Sequence, residues 1–199
     1  MKLDSQFAVP HLVRAEDNHY WKYHDILLNL LKEKAYRRGE YTLSSGVKSE
    51  HYVNCKPVTL SCEGNALMSR LMIDLVDTDA VAVGGLTLGA DPIVCGIAQK
   101  AYYNNHKPLD ALIIRKNVKG YGTKERIEGP RPPKGSVVTV VEDVTTTGSS
   151  AISAVKVLRE AGYIVKRVIA IVDRMDDHQT WKDNDLDFIS LFTLKDITG

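Results

Sequence analysis

The sequence predicts a single α/β domain spanning residues 1–199, with a central, mainly parallel sheet flanked by helices. Two observations point there. Short runs that are apolar on both faces, AVAVG (80–84), ALIIR (111–115), SVVTVV (136–141) and YIVKRVIAIVD (163–173), alternate with helical stretches, the pattern of strands buried on both sides by crossover helices. The 199 residues are 44% hydrophobic, with no repeat, linker or low-complexity tract; that is enough for one substantial core and little for two.

Taken in order, residues 1–18 lack periodicity and read as an arm. From Tyr20 the residues Tyr23, Ile26, Leu27, Leu30 and Leu31 recur at three and four, a helical spacing that Asp17 or Asn18 can cap and that Gly39 is expected to follow. YTLSSGVKSEHYVNCK (41–56) alternates and breaks at Ser45-Gly46, predicting two short strands around a turn. Ser61 is placed to cap a helix carrying Leu67, Leu71 and Leu75. Helices are predicted over Asp91 to Tyr103 and Ser149 to Ala161, and a last strand over Asp187 to Leu194. Arg115 to Lys134 has no period at all. Its seven Lys/Arg and two Glu, with several Gly and Pro, suggest a lid or a solvated surface loop.

Composition excludes several classes of function. Lys and Arg number 26 against 25 Asp and Glu, a formal charge of +1, so no global field draws the chain to nucleic acid. Cys55, Cys62 and Cys95 lack metal or redox spacing and read as reduced thiols. No window approaches a membrane span and the N-terminus lacks the apolar run of a signal peptide, so a cytoplasmic protein with no membrane partner is expected.

Ligands of an open parallel sheet sit beyond the carboxyl ends of its strands. At one such end, VVTVVEDVTTTGSSA (137–151) turns abruptly from apolar to oxygen-rich. Thr145, Thr146, Thr147, Gly148, Ser149 and Ser150 lie between a strand and a helix, where amide and hydroxyl donors meet the positive end of the helix dipole and form a phosphate cradle. No lysine follows the glycine, so this is not a Walker loop. Glu142 and Asp143, just before it, are suited to the hydroxyls of a sugar whose phosphate fills the cradle. A capped helix start with solvated acids is the plain alternative, less favoured because strand, acid pair and hydroxyl-glycine loop occur together.

This stretch resembles the phosphoribosyl-pyrophosphate (PRPP) signature of the type I phosphoribosyltransferases, and further motifs are similar to the orotate branch of that family. The resemblance covers roughly residues 20–175. It implies the type I fold with a small N-terminal hood and a flexible catalytic loop over 115–134, and an enzyme that transfers the phosphoribosyl group of PRPP to orotate in pyrimidine synthesis. It implies that Glu142, Asp143, Val144 and the loop to Ser150 hold PRPP, with backbone contacts at Thr87 and Leu88 of GGLTLGADP (84–92). Thr146 stands where purine-type members usually place an aspartate; a hydroxyl is a poor base near neutral pH, which suits a readily ionised ring such as orotate.

The order of residues in RKNVKGYG (115–122) resembles the family's catalytic loop, which makes Arg115, Lys116 and Lys119 the catalytic cations for a departing diphosphate and Tyr121 a PRPP contact where many members have histidine. YTLSSGVKSEHYVNCK resembles the orotate-site motif, with Tyr52 against the ring and Val53 backbone at its carbonyls; Ser44 replaces a lysine of some members, and His51 reads as a surface imidazole. Arg174 matches the family's fork for the orotate carboxylate, while a surface ion pair with Asp176 or Asp177 is, from the residues alone, an even alternative. The resemblance further implies Mg2+ carried on the PRPP diphosphate rather than by a protein metal site, and a homodimer sharing the loop. Another base, or a non-catalytic PRPP-sensing regulator, remains an alternative on the same fold; the neutral charge disfavours the regulator.

Overall fold

In the computed structural model the described residues are 18–42, 48–103, 107–117 and 125–199. The arm up to residue 17, the Asp17 cap and the side chain of Asn18, Ser44, the Ser45-Gly46 turn, Lys119 and Tyr121 lie outside what is described.

Helix α1 (Asn18–Leu30) runs into a π-helical turn, Leu31–Ala35, and the chain leaves it as strand β1 (Tyr36–Thr42). Gly39 was expected beyond the helix end but lies inside β1, because β1 pairs antiparallel with β2 (Lys48–Val53) from Tyr36↔Val53 onward and so claims this backbone for a ladder. A short helix α2 (Lys56–Thr59) follows, then α3 (Cys62–Met72), whose first turn is capped by Ser61 Oγ accepting the Gly64 N–H at 3.1 Å.

The remaining strands are β3 (Ala80–Leu86), β4 (Asp110–Ile114), β5 (Ile127–Glu128), β6 (Val137–Thr145), β7 (Arg167–Asp173) and β8 (Asp187–Thr193), and they form one sheet in the order β5-β4-β3-β6-β7-β8. All pairings are parallel except that of β5 with β4. Helices α4 (Asp91–Tyr103), α5 (Ser149–Glu160), α6 (Gln179–Asp183) and α7 (Leu194–Thr198) complete the chain. Three expectations change. The segment 115–134 is not wholly without regular structure, since Ile127 buries itself and pairs with Ile114 at the sheet edge. Strand β7 starts at Arg167, with Ile164 making only an isolated bridge to Val137. Strand β6 continues to Thr145 because β7 pairs with it as far as Thr145↔Asp173, which puts Glu142 and Asp143 inside the ladder.

The alternation of β6 explains its continuous apolar run. Val137 and Val141 pack on one face with Leu27, Leu71 and Ile93 of α1, α3 and α4. Val138 and Val140 pack on the other with Leu158 of α5, Trp181 and Phe188. Both faces are therefore cores, and each buried Leu or Ile contributes about 1.5–3 kcal/mol. No helix among the described residues is long and apolar enough to cross a membrane.

From β3 the chain passes outward to β4, whereas β6 adds on β3's other side. The strand order thus reverses between β3 and β6, where such sheets open a crevice at their carboxyl ends.

Candidate active site

A cavity of about 370 Å³ opens at the carboxyl end of β6. Glu142 to Ala151 line one wall, Thr42, Tyr52, Val53, Asn54 and Lys56 from the hairpin and α2 line another, and Arg174 enters from the end of β7. The sequence-predicted residues Glu142 to Ser150, Tyr52, Val53 and Arg174 are thus brought together. Thr87, Leu88, Arg115 and Lys116 are not among the lining residues.

The cradle is shaped by Gly148, which adopts a left-handed φ of 74° and opens α5. A Cβ there would meet the Trp181 ring at 2.9 Å, so both conformation and space favour glycine. Thr147 Oγ1 donates to Ser149 Oγ at 3.1 Å. Thr145 differs from the two threonines that follow it: it is buried and its hydroxyl donates to Asp173 Oδ1 at 3.1 Å, which leaves Thr146, Thr147, Ser149 and Ser150 as the less buried hydroxyls. Asp173 is itself fixed by the Met175 N–H at 2.9 Å and by His178 Nε2 at 2.6 Å from its other oxygen.

The acid pair is buried. Glu142 Oε1 accepts the Asp143 N–H at 3.2 Å, while Oε2 is buried with no hydrogen-bond partner. Burial first, and then the neighbouring Asp143, raise the Glu142 pKa well above the ordinary carboxylate value, and Lys116 opposes the shift. Lys116 is thus near enough for its charge to be felt in the site without lining it. Asp143 Oδ1 accepts the Val144 N–H at 2.9 Å, and Oδ2 lies 3.4 Å from Lys56 Nζ. The loop after β3 closes against this carboxylate, since a Cβ at Gly89 would sit 2.5 Å from Asp143 Oδ1; the Thr87-Leu88 peptide in it is cis.

Arg174 turns to the hairpin rather than to Asp176 or Asp177. It donates to the His51 carbonyl at 2.9 Å and to Ser49 Oγ at 3.3 Å, and its Nε is buried without a partner. Burial lowers its pKa from the usual value. Tyr52 stacks on Tyr41 with ring centroids 5.0 Å apart and stays 39% exposed. Arg115 pairs instead with Glu128, Nη1 to Oε1 at 3.4 Å, where β5 meets β4.

A curated orotate phosphoribosyltransferase from Thermosynechococcus vestitus is 55% identical over 148 residues, 74% of this chain and 78% of its own length. One from a Nostoc species is 48% identical over 172 residues, 86% of this chain and 83% of its own. The chain belongs to the orotate phosphoribosyltransferase family. Among solved structures, the orotate phosphoribosyltransferase of Mycobacterium tuberculosis in complex with PRPP aligns with TM-score 0.72 at 34% identity, covering 89% of this chain and 99% of that one. A phosphoribosyltransferase from Corynebacterium diphtheriae aligns with TM-score 0.75 at 35% identity, with the same coverage. No family model matches the chain.

For an orotate phosphoribosyltransferase family member, sequence reasoning left several lining residues without a role: Thr42, Asn54, Lys56 and Ala151. Three of them lie within the stretch 41–56 already singled out, but the approach of Lys56 to Asp143 on β6 spans 87 residues, for which the local pattern carries no signal. His51, expected as a surface imidazole, is half-buried, and its Nδ1 lies 2.8 Å from the Tyr36 hydroxyl.

Proposed function

We propose that this cavity transfers the phosphoribosyl group of PRPP to orotate, giving orotidine 5'-phosphate and diphosphate. The observation that carries the reading is the convergence, in one cavity, of the cradle, a buried acid with an unpartnered oxygen, and a half-buried arginine with an unpartnered Nε. Buried polar groups are nearly always paired, so Glu142 and Arg174, which line this cavity with one unpaired buried atom each, are suited to ligand hydroxyls and a carboxylate.

In this reading the amides and hydroxyls from Val144 to Ser150 hold the 5-phosphate at the N-terminus of α5. Glu142 and Asp143 accept hydrogen bonds from the ribose hydroxyls. Arg174 offers its guanidinium to the orotate carboxylate, Thr146 a hydroxyl to the ring, Tyr52 its aromatic face and Val53 its backbone. The bond from the anomeric carbon to diphosphate breaks as the ring nitrogen bonds to that carbon, and the electron pair leaves on diphosphate. Cations that meet this growing charge stabilise the transition state more than the ground state. That role is assigned to Arg115, Lys116 and Lys119, with Tyr121 as a further PRPP contact and the backbone of Thr87 and Leu88 on the diphosphate.

A magnesium ion is expected to arrive with the PRPP diphosphate rather than in a cage of protein ligands. Such an ion would neutralise the leaving group's charge. The assembly expected with this mechanism is a homodimer in which the 115–134 segment reaches the partner's site, read out by light scattering and by recovery of activity on mixing two inactive variants.

The test is diphosphate release by purified protein with PRPP and a panel of orotate, uracil and purine bases. Release that depends on orotate is expected; release with another base, or binding of PRPP without turnover, would overturn the assignment.

A further inference from the structure

Lys56 is the charged side chain of the cavity that the mechanism above leaves idle. It is the only lysine among the described residues that line the cavity. Its Nζ stands 3.4 Å from Asp143 Oδ2, with the lysine side chain 38% and the carboxylate 12% exposed. An ordinary surface ion pair is worth about 0–1 kcal/mol and constrains little.

This pair differs in how both ends are fixed. Next to Lys56, Cys55 is buried and its Sγ donates to the Asp143 carbonyl at 3.8 Å, while the Lys56 N–H is held by Asn54 Oδ1 at 3.2 Å. On the other side, Asp143 has no room to retreat, because the Gly89 backbone lies so close that a Cβ there would fall 2.5–2.8 Å from all three atoms of its carboxyl group. The carboxylate is therefore clamped between the loop after β3 and α2.

The clamp answers an electrostatic problem. Two adjacent acids share the wall of a cavity whose proposed ligand is a polyanion, and like charges at short range raise each other's cost. Among the described lining residues Arg174 is the only other cation, and it is bonded to the hairpin. Lys56 offsets the charge of Asp143 where PRPP must approach it.

We propose that Lys56 is a positioning residue for PRPP: it holds Asp143 against the Gly89 loop and balances its charge, so that the acid pair can engage the ribose hydroxyls. This rests on the PRPP reading of the cavity.

Three variants test it, Lys56→Gln, Lys56→Arg and Asp143→Asn, together with the Lys56→Gln/Asp143→Asn double variant. PRPP affinity is measured by calorimetry with Mg2+ present, and KM for each substrate by steady-state diphosphate release. Lys56→Gln should weaken PRPP binding by about tenfold or more, since the lost contact is charge-assisted, and leave KM for orotate nearly unchanged. Lys56→Arg should restore most of the affinity. Adding Lys56→Gln to Asp143→Asn should cost less than it does alone, because the lysine acts through that carboxylate. PRPP affinity of Lys56→Gln within about twofold of wild type, or strictly additive losses in the cycle, would overturn the proposal. Should Lys56→Gln fail to fold, an Arg variant with unimpaired folding and poor PRPP affinity would overturn it too. Wild-type protein that does not bind PRPP at all would instead remove the reading on which it rests.

Discussion

The two walls of the cavity are built in opposite ways. The β6 wall is local: acids, cradle and helix start occupy ten consecutive lining residues, Glu142 to Ala151, on one strand, one turn and one helix. The hairpin wall is assembled from afar, with Arg174 reaching residues 123 and 125 positions away and Lys56 reaching one 87 positions away. Under the proposed reaction the difference suits them to different work. A contiguous strand-turn-helix presents donors at fixed spacing, as phosphate recognition needs; a wall joined by long-range side-chain contacts can place a ring and a carboxylate opposite it.

That division can be broken experimentally, and the largest effect is expected on the local wall. Replacing Glu142 and Asp143 together by Gln and Asn should lower kcat/KM for PRPP by roughly a thousandfold, about 4 kcal/mol, from the loss of two charge-assisted interactions. Steady-state assays varying PRPP and orotate separately would show it, and a loss confined to orotate would invert the assignment. Arg174→Lys on the distant wall keeps the charge but loses the fork; KM for orotate should rise by roughly ten- to a hundredfold with KM for PRPP little altered.

Gly148→Ala comes next. The left-handed φ of 74° costs a Cβ-bearing residue about 1–2 kcal/mol, and contact with Trp181 adds to it. Thermal unfolding should move down and PRPP affinity should fall by up to about tenfold, while orotate binding to the free protein changes less.

The smallest effect is on stability. Glu142 has a raised folded pKa. Below the unfolded carboxylate pKa both states are protonated and the residue costs nothing. As pH rises from there through the folded pKa, the unfolded chain releases its proton first, so the native state loses stability and the loss then levels off. Glu142→Gln should therefore be more stable than wild type at neutral pH and equal to it in acid, despite binding PRPP poorly. Melting curves across pH would check this; a variant less stable at neutral pH would contradict the buried-acid description.

The same local-versus-distant contrast decides what the sequence could reveal. Helix α4 is legible to the residue at Asp91–Tyr103, and α5 to within one residue, because period and capping are local signals. The acids of β6 read as loop residues because polarity ends a strand pattern; only pairing with β7 carries the strand to Thr145. Strand β5 is two residues long amid charge, and its existence depends on the free edge of β4. The cradle was legible as a chemical sentence. Lys56 was not, since its meaning comes from Asp143, Gly89 and Cys55 meeting in space.

The most direct test of the central claim is a crystal structure of the protein with PRPP and magnesium. The 5-phosphate is expected on the Val144–Ser150 turn, with Glu142 and Asp143 on the ribose hydroxyls. A sugar phosphate bound away from the end of β6 would contradict that claim.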